Sequence, residues 1–203
     1  MKLYYKPGAC SLASHIILKE IGSDFEIESV DTDKQVTESG ADFTKINPKG
    51  YVPVLRLDNG EFLTEGAAVL QYLADQNPGS GLAPELGTLE RARLQEHLNF
   101  TSTELHKAFE PFFSSSVSDE EKQGAKANVR RKMDHFESIF DDGRKYLLGN
   151  KFSVADAYFF VVSNWAIPTG IGLDKWPGLA EFSTRIAGRE SVRDAMRAEG
   201  LLN

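Results

Sequence analysis

Residues 77–87 (NPGSGLAPELG) form a Pro/Gly/Ser-rich stretch that separates two parts of the chain with different patterns. Before it, short apolar runs alternate with turn residues, whereas after it apolar residues recur at helical spacing over long segments. Such a stretch between two such patterns predicts a linker. The chain has 203 residues, enough for two small domains. We therefore expect an α/β domain at residues 1–81 and an all-helical domain at residues 87–203.

The first part is predicted to begin with a strand–helix–strand unit. Residues 1–6 (MKLYYK) indicate a strand, and a turn follows. Apolar residues from Leu12 to Ile21 then repeat at helical spacing, and Gly22 suits the end of that helix. Residues 25–30 (FEIESV) alternate as in a second strand. Two strands joined through a helix are expected to be parallel.

The remainder of the first part is predicted to be antiparallel. Residues 52–57 (VPVLRL) and 61–64 (EFLT) are apolar runs on either side of an Asn-Gly turn, and this arrangement predicts a hairpin. A further helix is expected over residues 65–76.

The second part is predicted to contain only helices. Leu94, Leu98, Leu105 and Phe109 lie on one stripe of a long helix over residues 87–113. A second long helix is expected over residues 119–141, after Ser114-Ser115-Ser116. A third begins at Ser153, which forms a capping box with Asp156. Two shorter helices are expected over residues 176–187 and 189–199. The predicted fold class is α/β plus all-α.

Charge and cysteine content exclude several classes of protein. Lys and Arg number 23 and Asp and Glu number 30, so the formal charge is −7, and we expect neither nucleic acid nor a membrane as partner. No run approaches the roughly 18 apolar residues of a membrane span, and the first residues do not resemble a secretory signal. The one cysteine, Cys10, excludes an internal disulfide and fits a reducing compartment, so the predicted location is the cytoplasm.

Cys10 is the first candidate for chemistry because it lies between a predicted strand and the start of a predicted helix. The free N–H groups and dipole of a helix N-terminus lower a thiol pKa and favour the thiolate. The alternative is a buried cysteine without chemistry. Ser11 is either the helix cap or a second hydroxyl at the same site.

Two other segments of the first part could bind a ligand. Val52-Pro53 starts a predicted strand, and a cis bond there would expose the Val52 backbone to an extended peptide, although trans is the commoner state. Glu65 and Gly66 open a predicted helix whose N–H groups could hold a carboxylate, while Glu65 could face an ammonium group. The alternative for Glu65 is an acid that complements the helix dipole.

A polar stripe marks the second part. Asn99, Thr103 and His106 have i, i+4, i+7 spacing and are predicted to share one helix face, with Glu104 and Lys107 beside it. A histidine on such a face titrates near neutral pH and can donate a proton, although an ordinary solvated face is the alternative. The histidines lack metal-ligand spacing, so no metal is expected.

Several segments together resemble the bacterial beta class of the glutathione S-transferases, from end to end of the chain. The resemblance is carried by Tyr5–Leu12 (YKPGACSL), Asn47–Gly50 (NPKG) with Val52-Pro53, Leu63–Gly66 (LTEG), Asn99, Glu104–Lys107 (ELHK) and Phe152–Ala157 (FSVADA). It implies an N-terminal thioredoxin-like domain, a C-terminal helical bundle domain, and glutathione as co-substrate without a metal.

The resemblance also implies roles for these residues. Val52 would pair with the cysteinyl part of glutathione beside a cis Pro53, and Glu65 and Gly66 would hold the γ-glutamyl end. Cys10 would form a mixed disulfide with glutathione. His106 and Lys107 would face the glycyl end of glutathione or its sulfur. The protein would be a homodimer, in which Asn99, Thr103 and Glu104 reach the glutathione bound to the partner subunit. Cys10, Ser11 and His106 are the candidate catalytic residues.

The implied reaction is conjugation of glutathione to small hydrophobic electrophiles, in a pocket with Ala9, Phe109, Phe113 and Trp165. Two positions depart from the family pattern: Gln35 replaces a lysine, with Lys34 adjacent, and Gly66 often appears as Ser. Each departure could weaken glutathione binding by about 1 kcal/mol. The alternatives are a glutathione-dependent thiol-disulfide oxidoreductase or peroxidase, and a non-catalytic binding protein.

Overall fold

The structure is a computed structural model that describes residues 1–114 and 116–202. Its strands are β1 (Lys2–Tyr5), β2 (Glu26–Asp31), β3 (Val36–Thr37), β4 (Val54–Arg56) and β5 (Phe62–Thr64). Its helices are α1 (Ser11–Glu20), α2 (Gly66–Gln76), α3 (Leu89–Phe100), α4 (His106–Phe113), α5 (Asp119–Ile139), α6 (Val154–Asn164), α7 (Pro177–Ala187) and α8 (Glu190–Ala198).

The described residues form two compact units. The first contains Met1–Ser80 together with the C-terminal residues from Ala187 on, and the second contains Gly81–Ile186. The division falls within the predicted linker at 77–87. The units differ from the predicted domains at the C-terminal end, because α8 packs against α1 in the first unit and not within the helical unit.

The sheet of the first unit is mixed, with strand order β3-β2-β1-β4-β5. β1 and β2 are parallel, with Leu3 opposite Ile27, and α1 connects them, as predicted for the strand–helix–strand unit. β4 and β5 are antiparallel, with Leu55 opposite Leu63, which confirms the hairpin. β3 has two residues and no apolar run, so no pattern predicted it. This arrangement, with helices packed on the sheet, is the expected thioredoxin-like fold.

The core of the first unit lies around β1 and α1. Leu3, Ile16 and Ile17 are fully buried there, as their helical and strand spacing predicted. The C-terminal segment is tied to α1 by polar contacts as well. His15 Nδ1 lies 2.9 Å from Glu199 Oε1, and both side chains are buried. Glu199, just after α8, therefore lies in the interior of this unit.

The helices of the second unit surround an aromatic core. The Phe136 and Phe159 rings stack with centroids 3.9 Å apart, and both are fully buried. At the start of α6, the Asp156 carboxylate accepts hydrogen bonds from the Ser153 N–H at 2.8 Å and the Ser153 hydroxyl at 2.6 Å. This confirms the predicted capping box. Ser115, part of the serine run predicted before α5, lies outside the described residues.

The long helix predicted over residues 87–113 is present in two parts. α3 and α4 are joined by a π-helical turn, Thr101–Leu105, instead of one uniform α-helix. A π turn uses i→i+5 hydrogen bonds and so interrupts regular α-helical spacing. The predicted apolar residues on either side of it, Leu98 and Phe109, are nevertheless both fully buried. In the described part of the chain, no helix is both long and apolar enough to cross a membrane.

Candidate functional site

Cys10 lies where the sequence predicted, between β1 and α1. It is the N-cap residue of α1, although its own side chain does not cap the helix. Its Sγ donates to the carbonyl oxygen of Val52 at 3.4 Å, and the residue is half-buried. The structure therefore brings two of the predicted site residues of the first unit together.

The expected lowering of the Cys10 pKa is wrong. Burial raises the pKa of the thiol to about 12, and the negative charge of Glu65 raises it further. The N–H groups of Cys10 and Ser11 act in the opposite direction, as predicted for a helix start, but their effect is smaller. Desolvation therefore outweighs the helix terminus, and the thiol is protonated at neutral pH.

Ser11 and Ala9, the neighbours of Cys10, have structural contacts. The Ser11 hydroxyl is fully buried, donates to the Lys6 carbonyl oxygen at 3.3 Å, and accepts from the Lys6 N–H at 3.2 Å. It therefore joins α1 to the end of β1 and is not the helix cap that was expected. Ala9, predicted to line an electrophile pocket, packs against the apolar cluster that contains Tyr4, Val52 and Val54.

Val52 and Pro53 immediately precede β4. The peptide bond between them is cis, which is the state that the resemblance implied. Both residues are buried, and the Val52 carbonyl oxygen is the atom that contacts Cys10.

Glu65 precedes α2, whose first residue is Gly66. Its backbone has a positive φ of 71°, uncommon for a non-glycine residue, and its side chain is about half exposed. The carboxylate accepts hydrogen bonds from the Tyr51 hydroxyl at 2.8 Å and from the Lys49 ammonium. Glu65 therefore already binds a cationic nitrogen, which supports its predicted affinity for an ammonium group.

Gln35, which replaces the family lysine, connects two loops. Its Nε2 donates to the carbonyl oxygens of Thr32 at 2.5 Å and Gly50 at 2.9 Å. Gly50 has a φ of 75°, and a Cβ there would lie 2.9 Å from Gln35 Oε1, so the close approach requires glycine. The adjacent Lys34 ammonium pairs with Asp31 at 2.9 Å. The Gln35 amide and the Lys34 cation thus each have a partner in their own loop.

The second unit holds the remaining predicted residues. Asn99 and Thr103 are exposed, and the Thr103 hydroxyl donates to the Asn99 carbonyl oxygen at 3.0 Å. Glu104 pairs with Lys132 of α5, and Lys107 lies 3.5 Å from Glu110. Thr103 and Glu104 belong to the π turn.

His106 follows the π turn and is less exposed than Asn99 and Thr103. It is half-buried, and its Nδ1 lies 3.1 Å from the hydroxyl of Tyr158 on α6. Its ring also meets the Trp165 ring edge to face, with centroids 4.8 Å apart. The shared polar stripe of Asn99, Thr103 and His106 stays a prediction.

The expected proton donation by His106 near neutral pH is wrong. Burial lowers the pKa of the imidazole to about 4, and the positive charge of Lys107 lowers it further. The ring is neutral at pH 7, so it can donate a hydrogen bond but carries no extra proton to transfer.

Aromatic side chains next to His106 form an apolar surface. Trp165 contacts Phe109 and Phe113 edge to face, with centroids 5.8 and 5.2 Å apart. Phe109 is fully buried, whereas Phe113 is 59% exposed. Three of the four residues predicted for the electrophile pocket are thus in contact within this unit.

No role was predicted from the sequence for Lys49, Tyr51 and Tyr158, which contact Glu65 or His106, or for Glu199, which contacts the turn before Cys10. Glu199 accepts from the Gly8 N–H at 3.0 Å and so holds the turn before Cys10. Tyr158 lies 52 residues after His106, and Glu199 lies 191 residues after Gly8, so no local pattern links them. Among residues 1–114 and 116–202, no group of His, Cys, Asp or Glu could hold a metal ion.

Comparison with known proteins agrees with the fold. The glutathione S-transferase N-terminal domain matches residues 8–76, and the glutathione S-transferase C-terminal domain matches residues 100–190. Glutathione S-transferase GstA of Escherichia coli O157:H7 is 44% identical over 99% of this chain and 100% of its own length.

Two solved structures are similar over almost the entire chain. A sphingomonad glutathione S-transferase in complex with glutathione is 48% identical, with a TM-score of 0.95, and covers 99% of this chain and 100% of its own. The beta class enzyme of Sphingomonas chungbukensis is 46% identical, with a TM-score of 0.96 and complete coverage of both chains. The chain belongs to the glutathione S-transferase family. Within that family its structural neighbours include the bacterial beta class, and the protein is a glutathione transferase.

Proposed function

We propose that the protein conjugates glutathione to small hydrophobic electrophiles. The observation that carries this proposal is the position of the Cys10 Sγ at the start of α1, 3.4 Å from the Val52 carbonyl oxygen. Glutathione loses its thiol proton to solvent, its sulfur bonds to the electrophilic carbon, and the leaving group departs with its electron pair. The products are the thioether, the leaving group as an anion, and the proton released to solvent.

The glutathione anchors of the first unit are the Val52 backbone beside Pro53, the Glu65 carboxylate and the Gly66 N–H. The helix start at Gly66 supports binding of the γ-glutamyl carboxylate, because its first N–H groups have no acceptor inside the helix. The contact between Glu65 and the Lys49 ammonium supports binding of the ligand's ammonium group at the same carboxylate.

Cys10 and His106 serve the thiolate as hydrogen-bond donors, together with the N–H group of Ser11. Both side chains are neutral at pH 7, because their pKa values lie at about 12 and about 4. Donors directed at a developing or bound anion stabilise it in a site of low polarity. Lys107 adds positive charge next to His106, facing the glycyl end or the sulfur.

Turnover with a chlorodinitrobenzene-type electrophile tests the proposal, with glutathione binding titrated in the same preparation. Saturable conjugation above the uncatalysed rate is the expected result. Glutathione binding without turnover would contradict conjugation and favour the non-catalytic binding protein. Absence of binding would mean that Gln35 and Gly66 matter more than about 1 kcal/mol each.

The exposed ring of Phe113 on Trp165 supports an apolar second substrate. We expect Phe113→Ser to raise the KM for the electrophile by about tenfold while the KM for glutathione stays constant, since burying an aromatic ring stabilises by about 1.5–3 kcal/mol. Leu86→Ser is the matched control, because Leu86 is also an exposed apolar residue of the second unit. Equal effects of the two variants would contradict this pocket.

A mixed disulfide at Cys10 is the second proposed activity, and the presence of a single thiol supports a monothiol mechanism. The Cys10 thiolate attacks oxidised glutathione, forms the Cys10–glutathione disulfide and releases glutathione thiolate; a second glutathione then regenerates Cys10. Mass spectrometry after incubation with oxidised glutathione should detect one adduct, forming faster as pH rises. Cys10→Ala should form none. No adduct on the unmodified protein at pH 9 would exclude the thiol-disulfide alternative.

We further propose a homodimer in which Asn99, Thr103 and Glu104 reach the glutathione bound to the partner subunit. The exposure of Asn99 and Thr103 supports such a contact. Light scattering should give twice the mass of one chain. Asn99→Ala should raise the KM for glutathione, and a variant with unchanged KM would contradict the contact.

The remaining proposals concern the cellular location of the protein and its need for a metal. The single free cysteine supports a cytoplasmic location, which cell fractionation tests.

Catalysis is proposed to need no metal, so turnover should be unchanged after dialysis against a chelator. Loss of turnover that zinc or magnesium restores would contradict that proposal.

A further inference from the structure

Tyr158 is the direct contact of His106 that neither the sequence nor the comparisons assign to the reaction. Its hydroxyl lies 3.1 Å from His106 Nδ1, and the tyrosine itself is buried in α6. Trp165, just after α6, packs against the same imidazole. Within the described parts of the chain, Nδ1 is the ring nitrogen of His106 with a protein partner, and Nε2 remains for a ligand.

The chemistry of the pair decides which atom donates. A neutral imidazole has one N–H donor and one bare acceptor nitrogen, while a phenol can donate or accept. The imidazole nitrogen is the more basic acceptor and the phenol is the more acidic donor, so the O–H···Nδ1 arrangement is favoured. The proton of the neutral ring then resides on Nε2.

We propose that Tyr158 is a positioning residue that fixes the tautomer and ring orientation of His106, so that Nε2–H is directed at the substrate. This rests on the proposed role of His106 as a donor to the glutathione thiolate. Trp165 restricts the ring from another side, so the orientation is set before the substrate binds. An oriented donor stabilises charge without reorganising during the reaction.

The tautomer is measured directly by nitrogen NMR of the full-length protein with labelled histidine. The chain has four histidines, and the His106 signals are assigned by their loss in His106→Asn. At pH 7 we expect Nδ1 of His106 to give the shift of an unprotonated nitrogen and Nε2 that of a protonated one. In Tyr158→Phe both forms should be present. A proton on Nδ1 in the unmodified protein would overturn the proposal.

Kinetics then test whether this orientation matters. Tyr158→Phe should lower kcat for conjugation about tenfold and leave the KM for glutathione unchanged, since a misdirected catalytic group slows the reaction without weakening binding. The control is Tyr146→Phe, which removes a tyrosine hydroxyl elsewhere in the same unit and should leave kcat and the His106 tautomer unchanged. A Tyr158→Phe variant with an altered tautomer and normal kcat would overturn the positioning role.

The outcomes also separate this proposal from the proposed function. If His106→Asn retains full kcat, the donor role of His106 fails, whatever the NMR spectrum of the histidine. If His106→Asn loses activity but Tyr158→Phe lowers only the melting temperature, the donor role holds and Tyr158 is merely structural. The result that supports both proposals is a loss of kcat in both variants, with the His106 tautomer changed in Tyr158→Phe and unchanged in Tyr146→Phe.

Discussion

Cys10 in the first unit and His106 in the second are both neutral at pH 7, and burial is the main cause in each case. Their hydrogen-bond partners differ. Cys10 contacts a carbonyl oxygen, which can only accept, so the thiol must keep its proton to make that bond. His106 contacts a hydroxyl, which can donate, so the ring keeps its own N–H for another partner.

This difference shows how burial leaves two groups of opposite acid–base type uncharged, one in each unit. Desolvation moves an acid's pKa up and a base's pKa down, so both groups end in the neutral form. At Cys10, the thiolate of the proposed ligand would therefore meet a protonated thiol and not a second anion. Charge stabilisation by fixed dipoles of this kind suits a substrate that supplies the anion itself.

The largest expected effect concerns alkylation of Cys10. A pKa of about 12, against an ordinary 9.0, leaves about a thousandfold less thiolate at neutral pH. The rate with iodoacetamide, measured without glutathione, should therefore rise about tenfold per pH unit from pH 7 to 10 without a plateau. Glutathione alone under the same conditions is the control. A plateau below pH 9 would show that the helix start outweighs burial after all.

The second largest expected effect is the low pKa of His106, which is the counterpart of the high pKa of Cys10. We expect an NMR midpoint near pH 4, against an ordinary 6.5. The folded protein then binds this proton more weakly than the unfolded chain, so stability should fall as pH drops from 6.5 toward 4. Cys10 has the opposite sign, since its proton is held more tightly when folded, and its contribution is lost as pH rises above about 9. A His106 midpoint near 6.5 would contradict the conclusion that burial shifts the pKa values of both groups.

A third effect concerns the turn before Cys10. Glu199→Ala removes the buried acceptor of the Gly8 N–H and the partner of His15, and should lower the free energy of unfolding by about 3 kcal/mol. Urea denaturation measures this, and alkylation of Cys10 should become faster because its turn is less restrained. Glu190→Ala, at an exposed position of the same helix, should change stability by less than about 0.5 kcal/mol. Equal losses in both variants would contradict a specific role for Glu199.

Apart from β3 and the π turn, local sequence patterns predicted the strands and helices of both units and the capping box at Ser153 and Asp156. They also identified Cys10 at a helix start, because a strand, a turn and a helical repeat occur within a few residues. The chemistry of the site was less predictable. Burial reversed the expected pKa of Cys10 and lowered the pKa of His106 to about 4. Tyr158 and Glu199 reach their partners only through tertiary packing, which no local pattern encodes.

The smallest expected effect concerns the exposed ion pair between Lys49 and Glu65 in the first unit. Lys49→Met removes the ammonium that occupies the Glu65 carboxylate. If glutathione brings its own ammonium to Glu65, the KM for glutathione should fall, and because exposed ion pairs are weak the change should be at most about fivefold. Lys45→Met is the control, since Lys45 is exposed and pairs only distantly with Asp42, at 3.9 Å.

The direction of the Lys49 effect matters more than its size. A lower KM for glutathione would mean that Lys49 and the substrate compete for one carboxylate. The KM should then fall further at low ionic strength, because unscreened charges attract more strongly. A higher KM would mean that Lys49 contacts glutathione itself and that Glu65 serves to hold the lysine. The Glu65 charge already raises the pKa of Cys10, so loss of the Lys49 cation beside Glu65 should raise that pKa slightly further and slow the alkylation of Cys10. Faster alkylation of Cys10 in Lys49→Met would contradict this account of the Cys10 pKa.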